Sequence, residues 1–230
     1  MKPHSDKRSL PMAGKSGCTT VWLLSFLATG LFVFISYLWL DRPIARWVQA
    51  NVHLHHEVIL KPLGQAPNPL VVLSAIGFVI LGLKALSRRP FAKFEAASLV
   101  CSISVLTTET IKNVLKFVFG RTWPKTWADH NPSFLHDGVY GFNFMHGGIG
   151  YQSFPSGHMA SVAALAFVFG IYYPKYRWVC LLVSIVAGAS LIGTNYHFLG
   201  DVIAGGFLGS SIALMTVAFW SFEHTLLHGE

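Results

Sequence analysis

The sequence predicts an all-α membrane protein: a six-transmembrane-helix bundle with a long outer loop between helices three and four. Three observations carry this. Of the 230 residues, 53% are hydrophobic and only 12% are charged, about half the charged fraction of a soluble domain. The apolar residues gather in runs near the ~20 residues a helix needs to cross a bilayer. The cationic residues fall where they would stay on one side of that bilayer. Such a composition excludes an ordinary water-soluble globule, a disordered tail and a nucleic-acid-binding domain, although the net charge is +7.

The first span, 21–40, contains no charge. The second, 69–86, contains only Lys84, close enough to an end to snorkel. The third, 94–119, is long and carries Glu109, Lys112 and Lys116. Spans 157–173, 178–196 and 200–220 complete the set, each bounded by Pro, Gly or charge. The first apolar run is too long for a cleaved signal and no small-x-small site follows it, so a retained helix is expected. Segment 44–56 reads as a short helix on the outer surface. Its His53, His55 and His56 are metal-capable, but a solvated interfacial face is the expected role.

Lys2, Lys7, Arg8 and Lys15 place the N-terminus in the cytoplasm. Six crossings then return Arg88, Arg89 and Lys93, and later Lys175 and Arg177, to the same side. Residues 1–20 and 223–230 become cytoplasmic tails around a domain at 21–222, with outer loops at about 43–68 and 120–155. Arg42, Arg46, Lys61 and a basic group from Lys112 to Lys125 remain outside, and the last group asks for another explanation. Cys18, Cys101 and Cys180 are odd in number and far apart, so they suggest neither a disulfide framework nor a metal site.

Ionisable residues in a membrane span raise the prior for function. Glu109, Lys112 and Lys116 share one helix face, with the lysines toward the outer edge and Glu109 below them as a structural counter-ion. Beyond them come Arg121 in KFVFGRTWP (116–124), then SFPSGHMAS (153–161), then NYHFLGDVIAG (195–205). Ser156 is a candidate N-cap, so the amides near Ser156, Gly157 and His158 face outward and attract an anion. His197 and Asp201 are four apart and share a face at the start of a helix. The topology set by the cytoplasmic charges brings all three segments to one membrane face. A phosphate ester held by Lys116, Arg121 and those amides suits attack by His197, with Asp201 fixing its tautomer and His158 as general acid and then base.

The order Lys–x–x–x–x–Gly–Arg–x–x–Pro, Pro–Ser–Gly–His and His–x–x–x–Asp, from Lys116 to Asp201, resembles the phosphatidic acid phosphatase type 2 superfamily of membrane phosphatases. The resemblance implies His197 as nucleophile, Asp201 as its partner and His158 as acid, with Lys116, Ser156 and Gly157 binding phosphate. It implies a phosphorylated lipid substrate in the bilayer and a phosphohistidine intermediate, with neither metal nor cofactor. The sequence departs from the family pattern twice: Trp123 and Leu191 stand where arginines are usual. Arg121 can supply one cation, and Lys112 or Lys125 another.

The 121–154 loop, with Trp127, Asp129, His130, His136, Asp137 and His146, reads as a lid; its His and Asp residues lack compact metal-ligand spacing. The expected function is an integral-membrane lipid phosphatase with its site on the non-cytoplasmic face. The absence of any N-x-S/T site agrees with a bacterial inner membrane. Alternatives are a lipid-to-lipid phosphotransferase, a small proton or ion transporter and an inactive lipid-binding protein.

Overall fold

The computed structural model describes residues 15–52, 67–87, 89–127 and 130–228. His53, His55, His56, Lys61, Arg88, Asp129 and the first fourteen residues lie outside that set. The described residues are helical and contain no strand beyond isolated bridges. The helices are α1 (Lys15–Ile35), α2 (Asp41–Asn51), α3 (Pro67–Leu86), α4 (Lys93–Phe119), α5 (Phe134–Asp137), α6 (Gly157–Tyr172), α7 (Arg177–Gly193) and α8 (Leu199–His228).

Five helical stretches among the described residues are long and apolar enough to cross a membrane: Thr19–Asn51, Pro69–Leu86, Lys93–Phe119, Pro174–Gly193 and Leu199–Ser221. The expected fourth span forms as α6, a shorter apolar helix of 16 residues. Large apolar side chains on α1, α3 and α7, such as Leu27, Phe32, Ile80, Leu83, Leu182 and Ile185, face outward. That pattern suits a lipid solvent, where a helix satisfies its own backbone.

The first helix does not end where its apolar run ends. A π-helical turn, Ser36–Leu40, joins α1 directly to α2. Such turns re-aim the residues that follow them. Here Asp41 follows, and its carboxylate is buried. The surface helix expected at 44–56 therefore begins earlier, at Asp41, and buries Ala45 and Val48 while Trp47 stays exposed.

Helix α6 is the centre of the bundle, with α4 and α8 against it. Ala160, Ala164 and Val168 are fully buried. Small residues set the α6–α8 approach: a Cβ at Gly205 would lie 2.3 Å from the Ser156 carbonyl oxygen, and one at Gly209 would lie 2.0 Å from that of Ala160. Two glycines four apart thus let the backbones touch, the common device where lipid offers no hydrophobic drive for helix pairing. At the other end of the site, α4 stops at Gly120 (φ +52°), whose missing side chain makes room for the Asn143 carbonyl.

After Gly120 the chain folds back on the helix ends. Arg121 bridges to Phe142 and Gln152, and Trp123 to Ser133. Phe119, Phe142, Phe144 and Phe154 pack ring to ring beneath this segment. Gly209→Leu is expected to force α6 and α8 apart, costing about 1–3 kcal/mol or more and lowering the melting temperature of the detergent-solubilised protein.

Candidate functional site

Three helix ends meet where the chain folds back: the C-terminus of α4 and the N-termini of α6 and α8. The Ser156 N–H donates to the Asp201 carbonyl at 3.0 Å, tying the start of α6 to the first turn of α8. The Ser156 hydroxyl caps α6 by accepting from the Met159 N–H at 3.3 Å. Gly157 opens the helix, and His158 follows it into the interior.

Asp201 is fully buried and has several partners. One carboxylate oxygen, Oδ1, accepts from the Arg121 guanidinium at 2.5 Å. The other, Oδ2, accepts from the Ser153 hydroxyl at 2.6 Å and the Phe198 N–H at 3.0 Å. His197 Nδ1 lies 3.6 Å from Oδ2 and 3.4 Å from the Ser153 oxygen. The first distance is too long for a hydrogen bond, so Ser153 sits between ring and carboxylate. With its own proton given to Asp201, Ser153 has only lone pairs to offer Nδ1. That places the ring proton on Nδ1 and leaves Nε2 as the basic nitrogen.

His197 Nε2 is buried without a partner among the described residues, and so is His158 Nε2. The two rings lie 6.1 Å apart, centroid to centroid. Tyr196 stands edge-on to both, 5.2 Å from each. Buried nitrogens without partners are uncommon and ask for an explanation. Burial pushes the His197 imidazole below its ordinary value, and Asp201 pulls it back only in part.

Lys116 and Arg121 behave differently from one another. Lys116 has no hydrogen bond or ion pair among the described residues; its ammonium lies 5.7 Å over the Trp123 ring. Arg121 does not face an open pocket. Its guanidinium spans two carboxylates, Asp201 and Asp41, each at 2.5 Å, and donates to the Tyr140 hydroxyl at 3.1 Å. Phe198 and Phe142 lie 4.6 and 4.9 Å from it. Burial opposes its charge, yet Asp201 and Asp41 more than compensate, holding it above the ordinary arginine value.

Trp123 and Leu191 are absorbed into packing. The Trp123 ring covers His197 at 5.2 Å, and its indole N–H donates to the Ile149 carbonyl at 2.8 Å. Leu191 is buried beside Met159, Ala163 and Val202, and its carbonyl accepts from the Tyr196 and His197 N–H groups.

Asp41, Ser153 and Tyr140 are the participants that sequence reasoning missed. Asp41 also accepts from the Ser36 hydroxyl at 2.6 Å and the Gly200 N–H at 3.0 Å. A lone aspartate ending a charge-free apolar run was its only signal. Ser153 stood inside the quoted SFPSGHMAS, two residues before the proline. In the loop, His136 pairs with the adjacent Asp137 at 2.8 Å, and no cluster of three metal-capable side chains occurs among the described residues.

A family model, that of the PAP2 superfamily, matches residues 97–224. The chain is 25% identical over 202 residues to a lipid A 1-phosphatase of Rhizobium johnstonii, covering 85% of this chain and 79% of that protein. It is 29% identical over 118 residues to a lipid A 1-phosphatase of Rhizobium etli, covering 51% of this chain and 48% of that protein. The chain thus spans about half the length of this second relative. The fold resembles the crystal structure of a transmembrane PAP2-type phosphatidylglycerolphosphate phosphatase from Bacillus subtilis. The TM-score is 0.57 at 18% identity, over 87% of this chain and 96% of that one.

Removing one arm of the Arg121 clamp leaves a buried charge unpaired, which costs about 3–5 kcal/mol. Arg121→Met is expected to lower the melting temperature sharply. Asp41→Asn, which keeps the shape, is expected to cost less in stability.

Proposed function

We propose, because this chain belongs to the PAP2 superfamily, that it is an integral-membrane lipid phosphatase. It crosses the bilayer six times, with α6 as the short fourth crossing shielded by its neighbours. Its site opens on the non-cytoplasmic face, the periplasmic face of a bacterial inner membrane. The substrate is a phosphate monoester or pyrophosphate of a lipid, and the rhizobial relatives favour a phosphorylated glycolipid among the candidates.

One observation carries this reading: two imidazoles lie 6.1 Å apart between the starts of α6 and α8, each with a buried Nε2 that has no partner among the described residues. A phosphoryl group between them meets a nucleophile on one side and a proton donor on the other. His197 Nε2 attacks phosphorus while the bond to the lipid oxygen breaks, and protonated His158 gives its proton to that oxygen. A phosphohistidine results. His158, now neutral, takes a proton from water, which attacks phosphorus; the P–N bond breaks and phosphate leaves.

Lys116 and the Gly157 amide stabilise the equatorial oxygens, in the manner of preorganised donors. Ser156 takes part through its hydroxyl proton, because its N–H, expected to face outward, is held by the Asp201 carbonyl. No step calls for a metal. Arg121 serves differently from the expectation: with both flanks on carboxylates, it positions Asp201 rather than holding phosphate. Asp201 and Ser153 in turn keep the His197 proton on Nδ1 and stabilise the ring as charge develops. The 121–154 segment covers the site through Trp123 and shapes the entry for the lipid.

Phosphate release from a panel of phospholipids, phosphorylated glycolipids and isoprenoid pyrophosphates tests the reading. His197→Ala is expected to lose roughly a thousandfold or more in kcat, with and without chelator; unchanged turnover contradicts it. The depressed His197 value sets the acid limb. A base with a lowered pKa stays unprotonated to lower pH, so kcat/KM is expected to hold until below pH 6.5, the ordinary histidine value. An acid limb above that value contradicts the buried, neutral nucleophile.

A further inference from the structure

Lys112 is a partly buried cation that the reaction scheme leaves unused. Its ammonium pairs with Glu109 at 2.8 Å, and the Glu109 carboxylate is steered by the Ser161 hydroxyl, also at 2.8 Å. The side chain then lies across the first turn of α6. A Cβ placed on Gly157 would meet Lys112 Cδ at 2.6 Å and Nζ at 2.8 Å. The glycine of the PSGH motif is therefore required for this approach as well as for the helix start.

The placement is electrostatically costly in the absence of an anion. The N-terminus of a helix carries the positive end of its dipole, and an ammonium is the wrong charge to rest there. Lys116, one turn further along the same face, adds a second positive charge at the i+4 position. Among the described residues, Glu109 is the carboxylate paired with Lys112. A lysine has a long stem and can snorkel outward at little cost, yet Glu109 and Ser161 hold this one inward. Meanwhile the positions where family members usually carry arginines hold Trp123, which lies beside His197 and under the Lys116 ammonium, and Leu191, which is packed among apolar side chains.

We propose that Lys112 is a phosphate-binding residue of this site, taking over charge that the missing arginines would supply, with Glu109, itself held by Ser161, as the resting counter-ion that competes with phosphate for the ammonium. The proposal rests on the phosphatase reading for the identity of the pocket. An ammonium at Gly157 shares a phosphate oxygen with the helix amides, and the anion converts an unfavourable contact into a favourable one. Lysine brings a compact point charge rather than a planar fork, so the site grips a tetrahedral oxyanion without imposing bidentate geometry.

The test is direct binding of inorganic phosphate to the full-length detergent-solubilised protein by calorimetry, alongside thermal melting. Lys112→Met is expected to weaken phosphate binding at least tenfold, and Lys112→Arg to recover most of that loss. Glu109→Gln removes the same ion pair from its other end but deletes a negative charge, so phosphate is expected to bind at least as tightly as to wild type. A purely structural ion pair predicts equal weakening from both ends; that result overturns the proposal, as does wild-type affinity in Lys112→Met. If Lys112→Met does not fold, Gly157→Ala, which displaces the ammonium without deleting it, is expected to weaken binding tenfold; unchanged binding overturns the proposal. Failure of the phosphatase reading is distinguishable, because it shows as no phosphate release from any lipid while these binding differences stand.

Discussion

A single guanidinium, that of Arg121, joins three distant parts of the chain. It reaches Asp41 at the turn from α1 into α2 and Asp201 in the first turn of α8, and it stands just beyond the end of α4. Desolvating three charges is expensive, and the arrangement survives only because each is matched. The carboxylates are filled by Ser36, Gly200, Tyr140, Ser153 and Phe198. Aromatic rings close the remaining sides, where a cation gains from their π faces. Everything around His197 depends on this clamp, since Asp201 cannot move without uncovering a charge. A substitution at Asp41, far along the chain from either histidine, therefore reaches His197 through one pair of ion contacts.

Much of the architecture could be read from patterning. Apolar runs free of charge located the long helices, because lipid exposure tolerates little else. Ser156 and Gly120 marked helix ends through elementary capping rules. The convergence of His158, His197 and Asp201 followed from segments that the charge asymmetry sent to one side. The fourth segment was legible almost to the residue: 157–173 was expected and α6 runs Gly157–Tyr172, with Ser156 bound to α8 before it and Pro174 just beyond it.

What resisted reading was long-range pairing. Arg121 stood beside Lys116 in a basic stretch and looked like a phosphate ligand. No local feature indicates that carboxylates 80 residues away on either side, at 41 and 201, both terminate on it. Asp41 was invisible for the complementary reason: the π-helical turn that swings it inward has no sequence signature comparable to a cap or a glycine. Trp123 and Leu191 were legible as departures, but only the fold gives them jobs. One roofs the His197 ring, and the other fills the core below it.

The central claim is that His197 Nε2, held by Asp201 and Ser153 within the clamp, forms the bond to phosphorus. Rapid quenching during turnover of a lipid labelled in its phosphate, followed by mapping of the acid-labile adduct, addresses this directly. The account predicts label on His197 alone, formed and discharged at rates matching turnover. Label on another side chain, or steady phosphate release with no trapped adduct in a variant that cannot discharge it (His158→Ala), would contradict it.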